Sequence, residues 1–203
     1  MCTFSINRKS AVAVVALACT LVSCTFAPTP TATPEPTYAP RAIFIEKPIV
    51  PPDVPMIDLN GKPAKLSDLR GKYVFVTISN IDCAEACVDG PALFQRVKQV
   101  LGARGDVLYL LIGTDINADS PHAMKIYLAK FDPAFTGFTS ERGPMRELVV
   151  RFGIHSFIRN DGALAPHAPF TYLLDKQGRL VYFFQDGLTA MQVAEAAKKV
   201  IRE

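Results

Sequence analysis

The chain has few thiols available for chemistry. It contains five cysteines among 203 residues, and three of them lie at or before residue 24. If that N-terminal stretch is an export and lipidation signal, the finished protein keeps only Cys83 and Cys87 as free thiols. These two stand four residues apart, just after the strand-like run Tyr73–Ser79. Such a placement favours metal or redox chemistry.

The apolar run near the N-terminus, residues 11–22, is too short to cross a bilayer comfortably, since a spanning helix needs about 20 apolar residues. Two basic residues precede it, which is typical of a secretory signal. The run ends in Leu21-Val22-Ser23-Cys24, which resembles a bacterial lipobox, so residues 1–23 are predicted to be a lipoprotein signal peptide and Cys24 the lipidated residue. An uncleaved anchor, an ordinary signal peptide and cleavage before Cys19 are the alternatives.

The chain also lacks a cluster of positive charge. Its 22 basic and 19 acidic residues give a net charge of +3, and Arg8 and Lys9 belong to the predicted signal. Without a basic patch the sequence gives no support to nucleic-acid binding.

Residues 24–47 are predicted to be a lipid-anchored tether rich in proline and threonine, because such a segment cannot bury a core. Residues 48–203 then suit one compact domain. This organisation predicts an exported, membrane-anchored lipoprotein that faces the periplasm or the outer side of the cytoplasmic membrane, where thiols can be oxidised.

The hydrophobic pattern of the domain alternates between strands and helices. Tyr73–Ser79 is nearly continuously apolar, as expected of a central strand covered on both faces. The other predicted elements are a hairpin with its turn at Asn60-Gly61, a helix from Cys87 to Leu101, a strand at Val107–Gly113, a helix from Pro121 to about Phe131, a helix at Met145–Phe152, strands at Phe170–Asp175 and Leu180–Gln185, and a last helix after Thr189. This order predicts an α/β protein with a thioredoxin-like fold, a mixed central sheet, helices on both faces and an added N-terminal β-hairpin.

The cysteine pair is predicted to stand where the central strand gives way to a helix. Residues four apart on a helix share a face, with Cβ atoms about 5–6 Å apart. The positive end of the helix favours thiolates, and two converging thiolates suit a soft ion such as Cu(I). A disulfide that exchanges with other thiols, a structural disulfide and two buried small side chains are the other interpretations of Cys83 and Cys87.

Three segments resemble one protein family. Cys83-Ala-Glu-Ala-Cys87 resembles the CxxxC copper motif of the Sco/SenC proteins, although Ala84 and Val88 stand where the family usually has proline. Asp115–Pro121 is similar to the family's DxxxDxP segment, and His167–Asp175 resembles the segment that carries the third copper ligand. The resemblance runs from about residue 51 to the C-terminus.

This resemblance implies a function and a set of site residues. The family consists of thioredoxin-fold, membrane-tethered copper chaperones that help to assemble the dinuclear copper centre of cytochrome c oxidase. Cys83, Cys87 and His167 would be the copper ligands, and the partner would be the copper subunit of the oxidase or another copper chaperone. Asp115 and Asp119 are candidates for residues that support the ligands or dock the partner. By this interpretation the protein is a metallochaperone rather than an enzyme.

A thiol–disulfide oxidoreductase acting on exported cysteine pairs is the main alternative, with Cys83 and Cys87 as its redox pair. Pro169 occupies the position where thioredoxin-like oxidoreductases place a cis-proline.

His167 lies between Pro166 and Pro169 and is predicted to be in a loop. A peroxiredoxin-like protein is disfavoured, because the arrangement Pro-x3-Thr-x2-Cys is absent. The other two histidines, His122 and His155, are expected to bind no metal.

Overall fold

The computed structural model describes residues 39–82, 90–152 and 167–201, and for residues 167–169 it describes the backbone. The chain divides into two units, Met1–Thr37 and Tyr38–Glu203, and the described residues lie in the second. In chain order, the elements of this part are β1 (Ala42–Ile49), β2 (Met56–Asp58), β3 (Pro63–Ala64), a 3-10 helix (Leu66–Leu69), β4 (Tyr73–Ser79), α1 (Gly90–Leu101), β5 (Val107–Ile112), α2 (Pro121–Ala129), β6 (Thr136–Thr139), α3 (Arg142–Arg151), β7 (His167–Leu174), β8 (Leu180–Gln185) and α4 (Ala190–Lys198).

Within the described residues, the strands form one eight-stranded sheet in the order β1-β8-β7-β4-β5-β6-β2-β3. β4, β5 and β6 run parallel to one another, and the remaining pairs are antiparallel. β4 lies near the middle, between the parallel β5 and the antiparallel β7. The predicted mixed central sheet is therefore confirmed.

Helices cover both faces of this sheet, as predicted. Val74, Val76 and Ile78 of β4 pack on the face that α3 covers. Tyr73 and Phe75 point to the other face, which α1, α2 and α4 cover. Every residue of β4 is buried, and each large side chain contributes about 1.5–3 kcal/mol when it is removed from water. Burial on both faces explains why the strand is apolar almost throughout and why its identification from sequence is correct.

The predicted hairpin is confirmed. β2 and β3 pair around the turn, in which the backbone of Gly61 has a φ of +76°. The Asp58 carboxylate accepts hydrogen bonds from the amides of Asn60 (2.8 Å) and Lys62 (2.9 Å). The hairpin adds to the sheet through β6, with Ile57 opposite Thr139. β6 itself is absent from the sequence prediction, because four residues that include a glycine carry too short a pattern.

The predicted boundary between tether and domain at residues 47 and 48 is wrong, because it cuts through β1. Ala42 pairs with Phe184 of β8, so the folded domain includes the end of the segment expected to be tether. The Phe44 ring lies 5.3 Å from the Tyr182 ring, between centroids. β1 is an edge strand that contains Lys47 and Pro48, residues that natural edge strands favour. Proline and charge in this stretch made it look unlike a strand.

The helix starts predicted at Ser120 and Thr189 are confirmed by their capping hydrogen bonds. The Ser120 hydroxyl accepts a hydrogen bond from the Ala123 amide (3.4 Å) at the start of α2. Thr189 and Gln192 form a reciprocal capping box at the start of α4.

Among the described residues, no helix has both the length and the apolar character required to cross a membrane.

Candidate metal centre

The cysteine segment follows the carboxyl end of β4. β4 ends at Ser79, and a tight turn brings the chain to Asp82, the last described residue before the segment. In this turn the Asp82 amide donates a 2.7 Å hydrogen bond to the Asn80 side chain. Cys83 and Cys87 themselves lie outside the described residues. What the structure specifies is where the segment begins, where it ends and what lies beside it.

His167 begins β7 and pairs with the last residue of β4. Its register partner is Ser79, after a shift in the ladder that follows the Thr77–Thr171 pair. Cα atoms of opposed residues in antiparallel strands are about 4.5–5.5 Å apart. The prediction that His167 lies in a loop is thus wrong, because β7 starts three residues before the expected strand at Phe170. The backbone of His167 lies beside a residue that precedes Cys83 by four positions.

Helix α1 returns the chain to the same end of β4. Gly90, its first described residue, lies directly on Thr77, and a Cβ added at Gly90 would be 2.7 Å from Thr77 Oγ1 and Cγ2. Glycine permits this close approach of helix to strand. Residues 83–89 therefore leave and rejoin the described structure at one place.

The turn before Cys83 is also tied to the loop after β5. The Ile81 amide donates to Asp119 Oδ1 (2.8 Å), and the Asp115 amide donates to Asp119 Oδ2 (2.8 Å). Asp119 has no solvent exposure. Burial raises the pKa of Asp119, while backbone hydrogen bonds from Ile81, Asp115 and Thr114 act in the opposite direction.

Asp115 and Asp119, the two aspartates predicted to support the ligands or dock a partner, differ in solvent exposure. Asp119 is buried, which excludes direct docking of a partner on its side chain. Asp115 is exposed, and its carboxylate accepts a 3.0 Å hydrogen bond from the Asn117 amide, which leaves its role in docking a prediction. His122 is exposed on α2, far along the chain from the cysteines, and His155 lies outside the described residues.

No group of three or more His, Cys, Asp or Glu side chains that could hold a metal ion exists within the part of the chain that the structure describes. Cys83 and Cys87 lie outside that part. For His167 the structure describes the backbone and not the side chain. The ligand set Cys83, Cys87 and His167 therefore stays a prediction. The register of β4 and β7 satisfies its first requirement, which is that the backbone of the histidine lies next to the start of the cysteine segment.

The peptide bond before Pro169 is not cis, and no other peptide bond in the described ranges is. Pro169 lies inside β7 rather than in a loop. It therefore does not supply the cis-proline that its position in the sequence suggested for an oxidoreductase.

Comparison with solved structures defines the class of fold. A copper-bound structure of Arabidopsis thaliana ScoI aligns with a TM-score of 0.67 at 18% identity, over 75% of this chain and 98% of that one. A structure of BsSco, described as a member of the Sco family of cytochrome c oxidase assembly proteins with a disulfide switch, aligns with a TM-score of 0.61 at 17% identity, over 77% of this chain and 96% of that one. At these identities the likeness concerns the fold, and it confirms the thioredoxin-like architecture.

The sequence defines the family within that class. The SCO1/SenC family model matches residues 46–202, so the chain belongs to the SCO1/SenC family. The SCO2-like protein of Rickettsia prowazekii is 24% identical over 149 residues, which cover 70% of this chain and 73% of the relative. The resemblance found in the cysteine, aspartate and histidine segments is thereby confirmed at the level of the family.

Two features of the site had no usable signal in the sequence. The contact of Gly90 with Thr77 joins residues on different elements, and a glycine near a helix start is common. The hydrogen bond from Ile81 to Asp119 links positions that are 38 residues apart. The Asp119-Ser120-Pro121 motif marks a helix start, but it does not indicate that the carboxylate reaches the turn before Cys83.

We predict that Gly90→Ala lowers the free energy of unfolding by about 1–3 kcal/mol, because the added methyl group must displace Thr77 or the start of α1. The matched control is Gly143→Ala, also in a helix but with nothing within 4 Å of the added Cβ. That substitution should stabilise the protein by about 0.4–1 kcal/mol. Urea denaturation measures both, and equal effects of the two substitutions would contradict the close packing of α1 on β4.

Proposed function

We propose that this protein binds one copper ion through Cys83, Cys87 and His167 and passes it to the copper subunit of cytochrome c oxidase or to another copper chaperone. The observation that carries the proposal is the pairing of His167 with Ser79. That pairing puts the backbone of His167 beside Ser79, four positions before Cys83, although 84 positions separate His167 from Cys83 in the sequence.

The proposed donor set fits copper. Two thiolates and one neutral imidazole suit Cu(I) in a trigonal site, and the same set accepts Cu(II) when a weaker fourth donor joins. Copper is here the cargo, so the site must bind and also release it. Two cysteines on the segment that follows β4, with a histidine on the neighbouring strand β7, would form a site of this kind at the carboxyl end of β4.

Support for the biological role comes from the relatives. Arabidopsis thaliana ScoI has been seen with copper bound, and BsSco is described as belonging to a family of cytochrome c oxidase assembly proteins. Membership of the same family makes copper delivery during oxidase assembly the function that these observations favour for this chain.

We further propose that a lipid on Cys24 tethers the domain to a membrane, with the domain in the periplasm or on the outer side of the cytoplasmic membrane. The support is the apolar run that ends in Leu21-Val22-Ser23-Cys24. In the structure the strand β1 begins at Ala42, so the proposed tether extends from Cys24 to about Arg41.

Thiol–disulfide exchange by Cys83 and Cys87 is a second candidate function. The disulfide switch described for BsSco favours it. The two functions differ in their need for His167, since the proposed three-ligand copper site includes the imidazole and exchange between thiols does not use it.

The copper proposal predicts one Cu(I) per chain when the reduced full-length protein, with Cys2, Cys19 and Cys24 replaced by serine, is titrated anaerobically in detergent against a chromogenic chelator. Loss of a residue that merely supports a metal ligand costs 10–100-fold in affinity, so His167→Ala should weaken binding by at least about 100-fold. His122→Ala is the control and should leave the affinity unchanged, because His122 is exposed on α2. Full affinity in His167→Ala, with steady turnover of a dithiol substrate, would instead support the oxidoreductase.

The tether proposal predicts that Cys24→Ala abolishes incorporation of labelled fatty acid and releases the mature protein from the membrane fraction. Cys19→Ala is the control, because it removes the weaker cleavage site and leaves the predicted lipid acceptor in place. Labelling that persists in Cys24→Ala would show that lipid is attached elsewhere.

A further inference from the structure

We propose that Asp119 is a positioning residue for the cysteine pair: its carboxylate fixes the turn that leads into Cys83 and thereby sets the geometry and reactivity of both thiols. The effect on copper rests on the proposed function, whereas the effect on thiol reactivity does not.

The contacts of Asp119 connect the ends of two parallel strands. β4 and β5 pair with Ile78 opposite Ile112, so their carboxyl ends lie side by side at one edge of the sheet. Asp119 lies in the loop after β5, and its Oδ1 accepts the amide of Ile81 in the turn after β4. Ile81 precedes Cys83 by two positions. A displacement of this amide is therefore passed along a very short length of chain to the first thiol.

Hydrogen bonds and close packing hold the Asp119 side chain in position. Its Oδ2 accepts the Asp115 amide (2.8 Å), and the Asp119 amide donates to the Asp115 carbonyl (2.6 Å). Gly113 lies against it, since a Cβ added there would be 2.5 Å from Asp119 Cβ. A buried side chain with this many constraints has one position available, which is what a positioning residue requires.

The chemistry of the contact explains why the residue is an aspartate. A carboxylate offers two acceptor oxygens and can receive two amide N–H groups at once, and such charge-assisted bonds are stronger than neutral ones. Asparagine has the same shape but only one acceptor oxygen. Its NH2 group would face one of the two N–H donors, so Asp119→Asn must break the bond either to Ile81 or to Asp115.

Asp175 provides a matched control within the same sheet. It is also buried, and its Oδ1 accepts the amides of Gln177 and Arg179, both at 2.9 Å. It follows Leu174, which pairs with Val74 near the opposite end of β4 from the cysteines. Asp175→Ala therefore removes a buried carboxylate and its amide hydrogen bonds, together with its ion pair to the Arg179 guanidinium (2.7 Å), without touching the turn before Cys83.

The experiment compares Asp119→Ala and Asp175→Ala with the parent protein, all as reduced, metal-free full-length chains in which Cys2, Cys19 and Cys24 are replaced by serine, so that the thiols of Cys83 and Cys87 are the ones that react. We expect Asp119→Ala, which removes both acceptor oxygens, to change the rate at which a disulfide reagent modifies the thiols by several-fold, and Asp175→Ala to leave it unchanged. For bound copper, Asp119→Ala should lower the affinity by about 10–100-fold and shift the Cu(II)–thiolate absorption band. Unchanged rate and affinity in Asp119→Ala, or equal changes in both variants, would overturn the proposal.

A measurement on the wild type covers the case in which Asp119→Ala does not fold. The hydrogen bond to Asp119 predicts that the Ile81 amide exchanges slowly with deuterium, as the amides of the neighbouring strand do. Exchange of this amide at the rate of an unprotected amide would overturn the proposal. If the wild type binds no copper, the copper function fails, and the thiol rates still decide the role of Asp119.

Discussion

The antiparallel pairing of β4 with β7 is the constraint on which the proposed site depends. It places His167 opposite Ser79, at the strand end from which the cysteine segment departs. Burial fixes this register, because Val76 and its partner Tyr172 both lie in the core that α3 covers. A slip of β7 by one residue would turn Tyr172 towards the opposite face of the sheet, away from this core. The core that stabilises the fold therefore also determines where the histidine stands.

Two further contacts restrict the segment between strand and helix. At its beginning, Asp119 holds the amide of Ile81. At its end, Gly90 lets α1 sit directly on Thr77. The first contact comes from a buried side chain in the loop after β5, and the second from the packing of α1 on β4. Residues whose positions are fixed by packing and hydrogen bonds help a site to keep its geometry. A copper site that must bind and release its ion needs such a defined frame around a short ligand-bearing segment.

The sequence was informative where local pattern and burial coincide. β4 was predictable because both of its faces are buried, and the caps at Ser120 and Thr189 follow local chemistry. The early start of β7 at His167 was not, because Pro166 and Pro169 suggest a loop and only pairing with β4 makes the stretch a strand. β1 was missed for a similar reason, since an edge strand tolerates proline and charge. The contact between Ile81 and Asp119 depends on two strand ends meeting, which no local pattern records.

X-ray absorption spectroscopy at the copper edge of the loaded full-length protein, with Cys2, Cys19 and Cys24 replaced by serine, tests the central claim most directly. The account predicts two sulfur scatterers and one imidazole nitrogen around Cu(I), with the nitrogen lost in His167→Ala and kept in His122→Ala. A shell without sulfur, or an imidazole signal that survives in His167→Ala, would contradict a site built from Cys83, Cys87 and His167.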